Sequence, residues 1–284
     1  MTTLWRATAF GTFADLATAT ETLDAVGLAM SWSLFDDSDP ARLDMYFDIK
    51  PDPVGLRDVL ALSAVPDLIP VPDEDWVRLS LEGLQPVAAG RFKLFGAHNA
   101  DGLSLEPGEI GLEIEAGPAF GTGHHGTTRG CLMAFDALLS AGVRPDTVFD
   151  LGCGTAALAI AAAKTLPDAH ILASDIDPEA VSESQANCEK NGTPDIECFV
   201  ADGLDHAKLA GREFDLVFAN ILAGPLVSLA EGIATLLAPG GRVILSGLLT
   251  EQESWVREAY EKAGLSVARQ TPIEGWETLV ASRP

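Results

Sequence analysis

The sequence predicts an α/β fold: a doubly wound, mostly parallel sheet of seven strands with an antiparallel edge strand, preceded by a small α+β domain. Three observations predict it. From about residue 127, apolar segments of strand length alternate regularly with helical ones. The last two strands have no helix between them, so they should pair as an antiparallel hairpin at the sheet edge. The first 70 residues instead give short alternating segments around one helical pattern.

Taken in order, Leu4–Ala9 reads as a strand and Phe13–Val26 as a helix by its apolar spacing. Ala29–Leu34 and Met45–Ile49 read as strands, and Leu56–Ser63 as a second helix. Together they suit a split β-α-β unit. Pro70-Val71-Pro72-Asp73 breaks the pattern, and the acidic start Asp73-Glu74-Asp75 opens a helical stretch ending at Pro86. The expected domains are therefore 1–70, a helical linker over 71–88, and 89–284. Strands follow at Arg91–Phe95 and Gly111–Glu115.

The main alternation starts with helix Thr128–Ser140, strand Thr147–Leu151, helix Ala156–Leu166 and strand Ala169–Ser174. Helix Pro178–Asn191 closes at Gly192 and leads to strands Ile196–Val200 and Phe214–Ala219. Helix Gly224–Leu237 precedes a Pro239-Gly240-Gly241 turn into strand Arg242–Ser246. Helix Glu251–Ala263 and strands at Leu265–Arg269 and Glu277–Ala281 complete the sheet.

The 284 residues suffice for one large domain and one small one, and 47% hydrophobic residues leave no difficulty in burying a core. The net charge of −24 opposes binding to phosphate backbones and anionic membranes and favours a basic partner. Acidity also serves solubility alone, and by itself the charge says no more. Cys131, Cys153, Cys188 and Cys198 show no Cys-x-x-Cys spacing, which fits reduced structural thiols and a cytoplasmic protein. The N-terminus shows no signal-peptide pattern, and no apolar run reaches membrane-spanning length.

In an open parallel sheet, ligands bind beyond the carboxyl ends of the strands. The first strand of the large domain ends in Asp150-Leu151-Gly152-Cys153-Gly154, where glycines let backbone approach a ligand. Asp175 closes the next strand, 23 residues after Gly152, where a carboxylate can accept from both ribose hydroxyls of an adenosine. A dinucleotide and S-adenosylmethionine both fit so far. Asp150, placed to engage a methionine amino group, the edge hairpin, and Asn220-Ile221-Leu222 after the fourth strand favour S-adenosylmethionine. Asp202 is placed to contact the adenine amino group, and equally reads as a turn former in Ala-Asp-Gly. Ala156 stands where a third glycine is often found.

Residues 117–128 are the most distinctive stretch, with four glycines between Gly117 and Gly126. A loop this permissive, just ahead of the cofactor turn, suits closure over the cofactor. Phe120 is placed to pack on the cofactor, Thr128 to hydrogen-bond it, and His125 to orient the reactants. His124 and His125 are adjacent, with no nearby Cys or carboxylate to complete a set, so no metal is expected.

At these residues the chain resembles PrmA, the methyltransferase family that modifies large-subunit ribosomal protein eleven. The resemblance rests on Ala119–Thr128, the glycine turn, Asp175-Ile176-Asp177-Pro178 and Asn220-Ile221-Leu222-Ala223-Gly224-Pro225-Leu226. Weaker matches are Asp73-Glu74-Asp75-Trp76 and Ser246-Gly247-Leu248-Leu249, so that it spans roughly 71–284. It implies a Rossmann-like class I methyltransferase domain behind a ferredoxin-like, substrate-recognising N-terminal domain. It also implies that Thr128, Gly152, Asp175 and Asn220 contact the cofactor, and that lysine side chains and the N-terminal α-amine are methylated. Ser80 stands where the family often has a second linker tryptophan.

Asn220 and His125 are the expected catalytic residues, and Phe120, Thr128, Asp150, Gly152, Gly154, Asp175, Asp202 and Asn220 the expected cofactor contacts. Enzymes that methylate amino groups of planar bases commonly follow Asn or Asp with Pro-Pro and an aromatic ring. Ile221-Leu222 has neither, which favours a flexible alkyl amine. A monomer with a basic protein substrate, no direct nucleic-acid contact and no membrane contact is expected. The competing readings are another protein target, an idle cofactor-binding module and a nicotinamide dehydrogenase.

Overall fold

The computed structural model describes residues 4–26, 31–35, 40–47, 49–71, 86–100, 102–114 and 126–284. The chain divides into two compact units, Met1–Glu82 and Gly83–Pro284.

The first unit runs β1 (Leu4–Gly11), α1 (Phe13–Val26), β2 (Ser31–Phe35), β3 (Ala41–Phe47), α2 (Pro53–Val59) and β4 (Asp67–Val71). Its sheet has the order β2-β3-β1-β4, antiparallel throughout, which is the ferredoxin-like split β-α-β arrangement. Strand alternation makes its core: Ala7 and Ala9 of β1 with Leu43, Met45 and Phe47 of β3 bury against Leu16, Ala19 and Leu23 of α1. The opposite face carries Arg6, Thr8, Arg42 and Asp44, with Thr8 Oγ1 donating to Asp44 Oδ1 at 2.7 Å.

Three elements differ from the sequence expectation most: β3 runs Ala41–Phe47 where Met45–Ile49 was expected, and α2 and β4 differ as follows. Helix α2 begins at Pro53 rather than Leu56, because Asp52 caps it by accepting from Val54 N and Gly55 N, with Pro53 in the first turn. Pro70 sits inside a strand rather than a break; β4 is an edge strand, where a missing N–H is tolerated. The ends of the expected linker are strand residues, Val71 in β4 and Val87 in the next strand. The linker helix itself, with Asp73-Glu74-Asp75-Trp76 and Ser80, lies outside the described residues.

The second unit opens with β5 (Val87–Ala89), β6 (Phe92–Phe95), α3 (Ala97–Ala100) and β7 (Ile110–Glu113), whose strands form a small separate sheet. Strand β5 was hidden from sequence reading because three residues after Pro86 are too short to show a period. The large sheet follows: α4 (Gly126–Ser140), β8 (Thr147–Leu151), α5 (Ala157–Thr165), β9 (His170–Asp175), α6 (Pro178–Lys190), β10 (Glu197–Val200) and β11 (Phe214–Asn220). Then come α7 (Ala223–Ser228), α8 (Ala230–Leu236), β12 (Leu237–Leu249), α9 (Glu253–Lys262), β13 (Ser266–Arg269) and β14 (Trp276–Ser282).

The seven strands lie in the order β10-β9-β8-β11-β12-β14-β13. Neighbours are parallel from β10 to β12, and the β13–β14 hairpin closes the edge. Within it β14 is the inner strand, antiparallel to both β12 and β13. Strands covered on both faces read as continuous apolar runs, as in β8, where Val148 and Phe149 are fully buried. Phe218 meets Phe135 edge-on at 5.3 Å on one face, and Phe149 stacks on Phe214 at 5.3 Å in the other core. Each such ring contributes about 1.5–3 kcal/mol by burial.

The helix expected over Gly224–Leu237 is two helices broken at Leu229. Ser228 Oγ donates to Pro225 O at 2.9 Å and competes with the helix ladder for that carbonyl. The expected Pro239-Gly240-Gly241 turn is an irregularity within β12, where pairing shifts between Phe214 and Leu216. A side chain on Gly241 would meet the carbonyls of Ala238 and Phe214 at 2.8 Å.

Candidate active site

The strand order reverses direction between β8 and β11, and a cavity of about 1050 Å³ lies beyond the carboxyl ends of the strands there. Its wall includes Gly152 and Gly154 after β8, Asp175 and Ile176 at the end of β9, and Asp202 after β10. Asn220, Gly247 and Trp276 come from β11, β12 and β14.

The glycine turn is held from two sides. Gly152 N and Cys153 N both donate to Ser174 O, at 2.8 and 2.9 Å. On the other side, Ser184 Oγ of α6 donates to Gly154 O at 2.6 Å, and Asn187 Nδ2 to Thr155 O at 3.1 Å. Gly152 and Gly154 have φ of 68° and 53°, which favours glycine. The third position, Ala156, takes the same left-handed conformation with φ 61° and is fully buried. An alanine there costs about 1–2 kcal/mol in backbone strain.

Asp175 faces the turn. Its Oδ2 accepts from Gly154 N at 2.9 Å and its Oδ1 from Asp177 N at 3.0 Å. Each oxygen keeps a lone pair for another donor. Ile176, 65% exposed, offers an apolar surface on the same wall. Asp202 lines the cavity, and its carbonyl accepts from Asp205 N at 3.2 Å in a turn.

Asp150 and Thr128 stand behind the wall rather than on it. Asp150 is 1% exposed, and its Oδ2 accepts from Ala159 N at 3.0 Å, capping the first turn of α5. Burial, opposed by that backbone bond and reinforced by nearby Asp175, pushes its carboxyl up to about 7. The hydrogen bond that holds it goes to the start of α5, beside the glycine turn. Thr128, buried in the first turn of α4, accepts from Asn220 Nδ2 at 3.4 Å.

Asn220 Oδ1 is buried and has no hydrogen-bond partner. Asn220 lines the cavity, and with Nδ2 engaged by Thr128 its oxygen is a free acceptor buried just beneath that wall. Gly247, with φ 86°, packs against the backbone that follows; a side chain there would meet Ile221 C at 2.7 Å. Phe120, His124 and His125 lie outside the described residues. Among the described residues no group of three or more His, Cys, Asp or Glu side chains is placed to hold a metal ion, and no helix is long and apolar enough to cross a membrane.

Sequence reasoning did not select Ile176, Ser228, Leu229 or Trp276, all of which line the cavity. An exposed apolar residue directly after Asp175 was a usable signal for Ile176. Trp276 lies 56 residues beyond Asn220, and only the order of the strands brings it to the site.

Comparison with known proteins agrees with this geometry. The family model described as ribosomal protein L11 methyltransferase (PrmA) matches residues 59–284. A ribosomal protein L11 methyltransferase of Bradyrhizobium diazoefficiens is 47% identical over 244 residues, covering 83% of this chain and 81% of the relative. One of Brucella suis is 44% identical over 244 residues, covering 85% and 84%. Among solved structures, a ribosomal protein L11 methylase of Lactobacillus delbrueckii subsp. bulgaricus has 27% identity and a TM-score of 0.61, covering 70% of this chain and 98% of that one. A methyltransferase of Pyrococcus furiosus, 23% identical with a TM-score of 0.50, shares the fold over 61% of this chain and 89% of its own.

Proposed function

This chain belongs to the ribosomal protein L11 methyltransferase (PrmA) family, and from that premise we propose that it transfers methyl groups from S-adenosylmethionine to amino groups of large-subunit ribosomal protein eleven. The acceptors are lysine side chains and the N-terminal α-amine. One observation carries the reading: the buried, unpartnered Oδ1 of Asn220, a residue that lines the cavity. An unsatisfied buried acceptor costs about 1–3 kcal/mol, which a bound amine N–H relieves.

The residues present fit the cofactor. Gly152 and Gly154 present left-handed backbone on the cavity wall, and Asp175 has a free lone pair on each oxygen for the ribose hydroxyls. Ile176 offers an apolar face for the adenine, and Asp202 an acceptor for its amino group. When bound, the cofactor supplies an electrophilic methyl group on a sulfonium. The protein's part is positioning. Asn220 Oδ1 accepts one amine N–H and so directs the nitrogen lone pair into the cavity. Asn220 itself is no proton acceptor. A lysine must first lose its proton, at a cost of about 4–5 kcal/mol at pH 7, and in this reading the proton passes to water.

Residues 1–70 serve recognition of the protein substrate, residues 71–88 connect the two parts, and the acidic charge favours a basic protein over nucleic acid. The enzyme acts as a cytoplasmic monomer. Labelled S-adenosylmethionine and purified ribosomal proteins test the substrate, and an unlabelled protein eleven refutes it. Asn220→Ala should bind S-adenosylhomocysteine yet lose about 10²–10³-fold in turnover; retained turnover refutes the role of Asn220. Deleting residues 1–70 should abolish transfer to the ribosomal protein while leaving S-adenosylhomocysteine binding.

A further inference from the structure

We propose that Trp276 is the specificity residue of the acceptor subsite, its indole face receiving the cationic forms of the amine. The inference rests on the amine-transfer reading above. The cavity is chemically divided. Its carboxylates, Asp175, Asp177 and Asp202, all come from the β9 and β10 side. From β11 onward its described lining holds no carboxylate. A lysine and its methylated product are both cations at neutral pH, so the acceptor end must hold positive charge without an ion pair.

Asn220 and Trp276 frame that end. Both abut the first turn of α4: Thr128 accepts from Asn220 Nδ2, and a side chain on Gly126 would come within 3.2 Å of Trp276 Cδ1. Asn220 pairs with Ser246 of β12, whose Oγ donates to the carbonyl of Glu277, the residue after Trp276. Two strand spacings and a stagger of at least two residues, roughly 12 Å in all, separate the two backbones, because Trp276 pairs with Leu249 rather than with Ser246.

The backbone of Trp276 is anchored. Trp276 N donates to Ile273 O and Ile273 N to Trp276 O, both at 2.9 Å, across a turn in which Glu274 and Gly275 have φ of 52° and 81°. An aromatic face beside a single amide acceptor attracts alkylammonium groups by cation–π interaction. Discrimination of a charged ligand from a neutral one of equal shape should be roughly two- to thirtyfold.

The test is a ligand-observed NMR titration of protein saturated with S-adenosylhomocysteine. The probes are Nα-acetyl-trimethyllysine amide and the neutral isostere carrying a tert-butyl group. In the wild type the charged probe should bind roughly two- to thirtyfold more tightly. That ratio should fall to about one in Trp276→Leu and stay above one in Trp276→Phe, with S-adenosylhomocysteine affinity within about threefold throughout. A wild-type ratio of one, or a ratio unchanged in Trp276→Leu, overturns the proposal even if the enzyme methylates lysines. A ratio that collapses at Trp276 in an enzyme that methylates no amine upholds the subsite and refutes the proposed function instead.

Discussion

Replacing Asp175 by asparagine removes one carboxylate oxygen while keeping the side chain's shape. In the structure both oxygens are already in use, Oδ2 by Gly154 N at 2.9 Å and Oδ1 by Asp177 N at 3.0 Å. Each has one lone pair left for a ribose hydroxyl. Asparagine turns one oxygen into an NH₂ group, so one backbone N–H faces another donor and one hydroxyl loses its acceptor. A hydrogen bond to a charged group contributes about 1.5–3 kcal/mol, and the surviving carbonyl bond weakens as the charge is lost. Affinity for S-adenosylhomocysteine should therefore fall by about 2–4 kcal/mol, roughly 30- to 1000-fold. Titration calorimetry measures this, with urea unfolding as the control; stability should drop by about 1 kcal/mol through the Gly154 contact. A dissociation constant within threefold of wild type, alongside the lowered urea midpoint, would refute the reasoning, because Asp175 would then serve only the glycine turn.

Gly247→Ala should destabilise the protein by about 2–4 kcal/mol in urea, since it combines a left-handed alanine with a collision against the Ile221 backbone; an unchanged midpoint would exclude that close approach. Asp150→Asn should become progressively more stable than wild type as pH rises. The buried carboxyl holds its proton up to about pH 7 when folded against 3.8 as the ordinary value, so wild-type stability falls through that window and the difference levels off at roughly 4 kcal/mol; a difference flat with pH refutes it. Cys198 should react first with a thiol reagent, because it is partly exposed and the Cys188 thiol, 4.0 Å away, lowers it while Cys188 itself is raised; peptide mapping after brief alkylation that finds Cys188 or Cys153 first would refute this.

The fold was most legible where one physical signal dominated. β8 and α1 have the bounds their apolar patterns predict, and α6 starts where Asp177 caps Pro178. Legibility failed where a local signal had two meanings. Pro70 marks a break unless the segment is an edge strand, and edge position follows from the order of all four strands. Pro239-Gly240-Gly241 marks a turn unless β11 lies alongside to make it an irregularity in pairing.

The site divides in the same way. Gly152, Gly154, Asp175, Asp202 and Asn220 were readable because each sits at the carboxyl end of a strand, a position that sequence order specifies. Which way a side chain points from there is decided across elements. Asp150 and Asp175 look equivalent in sequence, both acidic beside the glycine turn. Yet Ala159 N draws one into the interior while Gly154 N and Asp177 N leave the other on the wall. Thr128 begins a helix beside the turn, and its oxygen accepts from Asn220 Nδ2. That single bond sets which way round the Asn220 amide sits. A valine at 128 would keep the shape and remove the acceptor. The amide would then be free to turn its NH₂ toward the amine, donor against donor. Turnover loss at Thr128→Val with cofactor affinity intact is thus the signature of orientation rather than of cofactor binding.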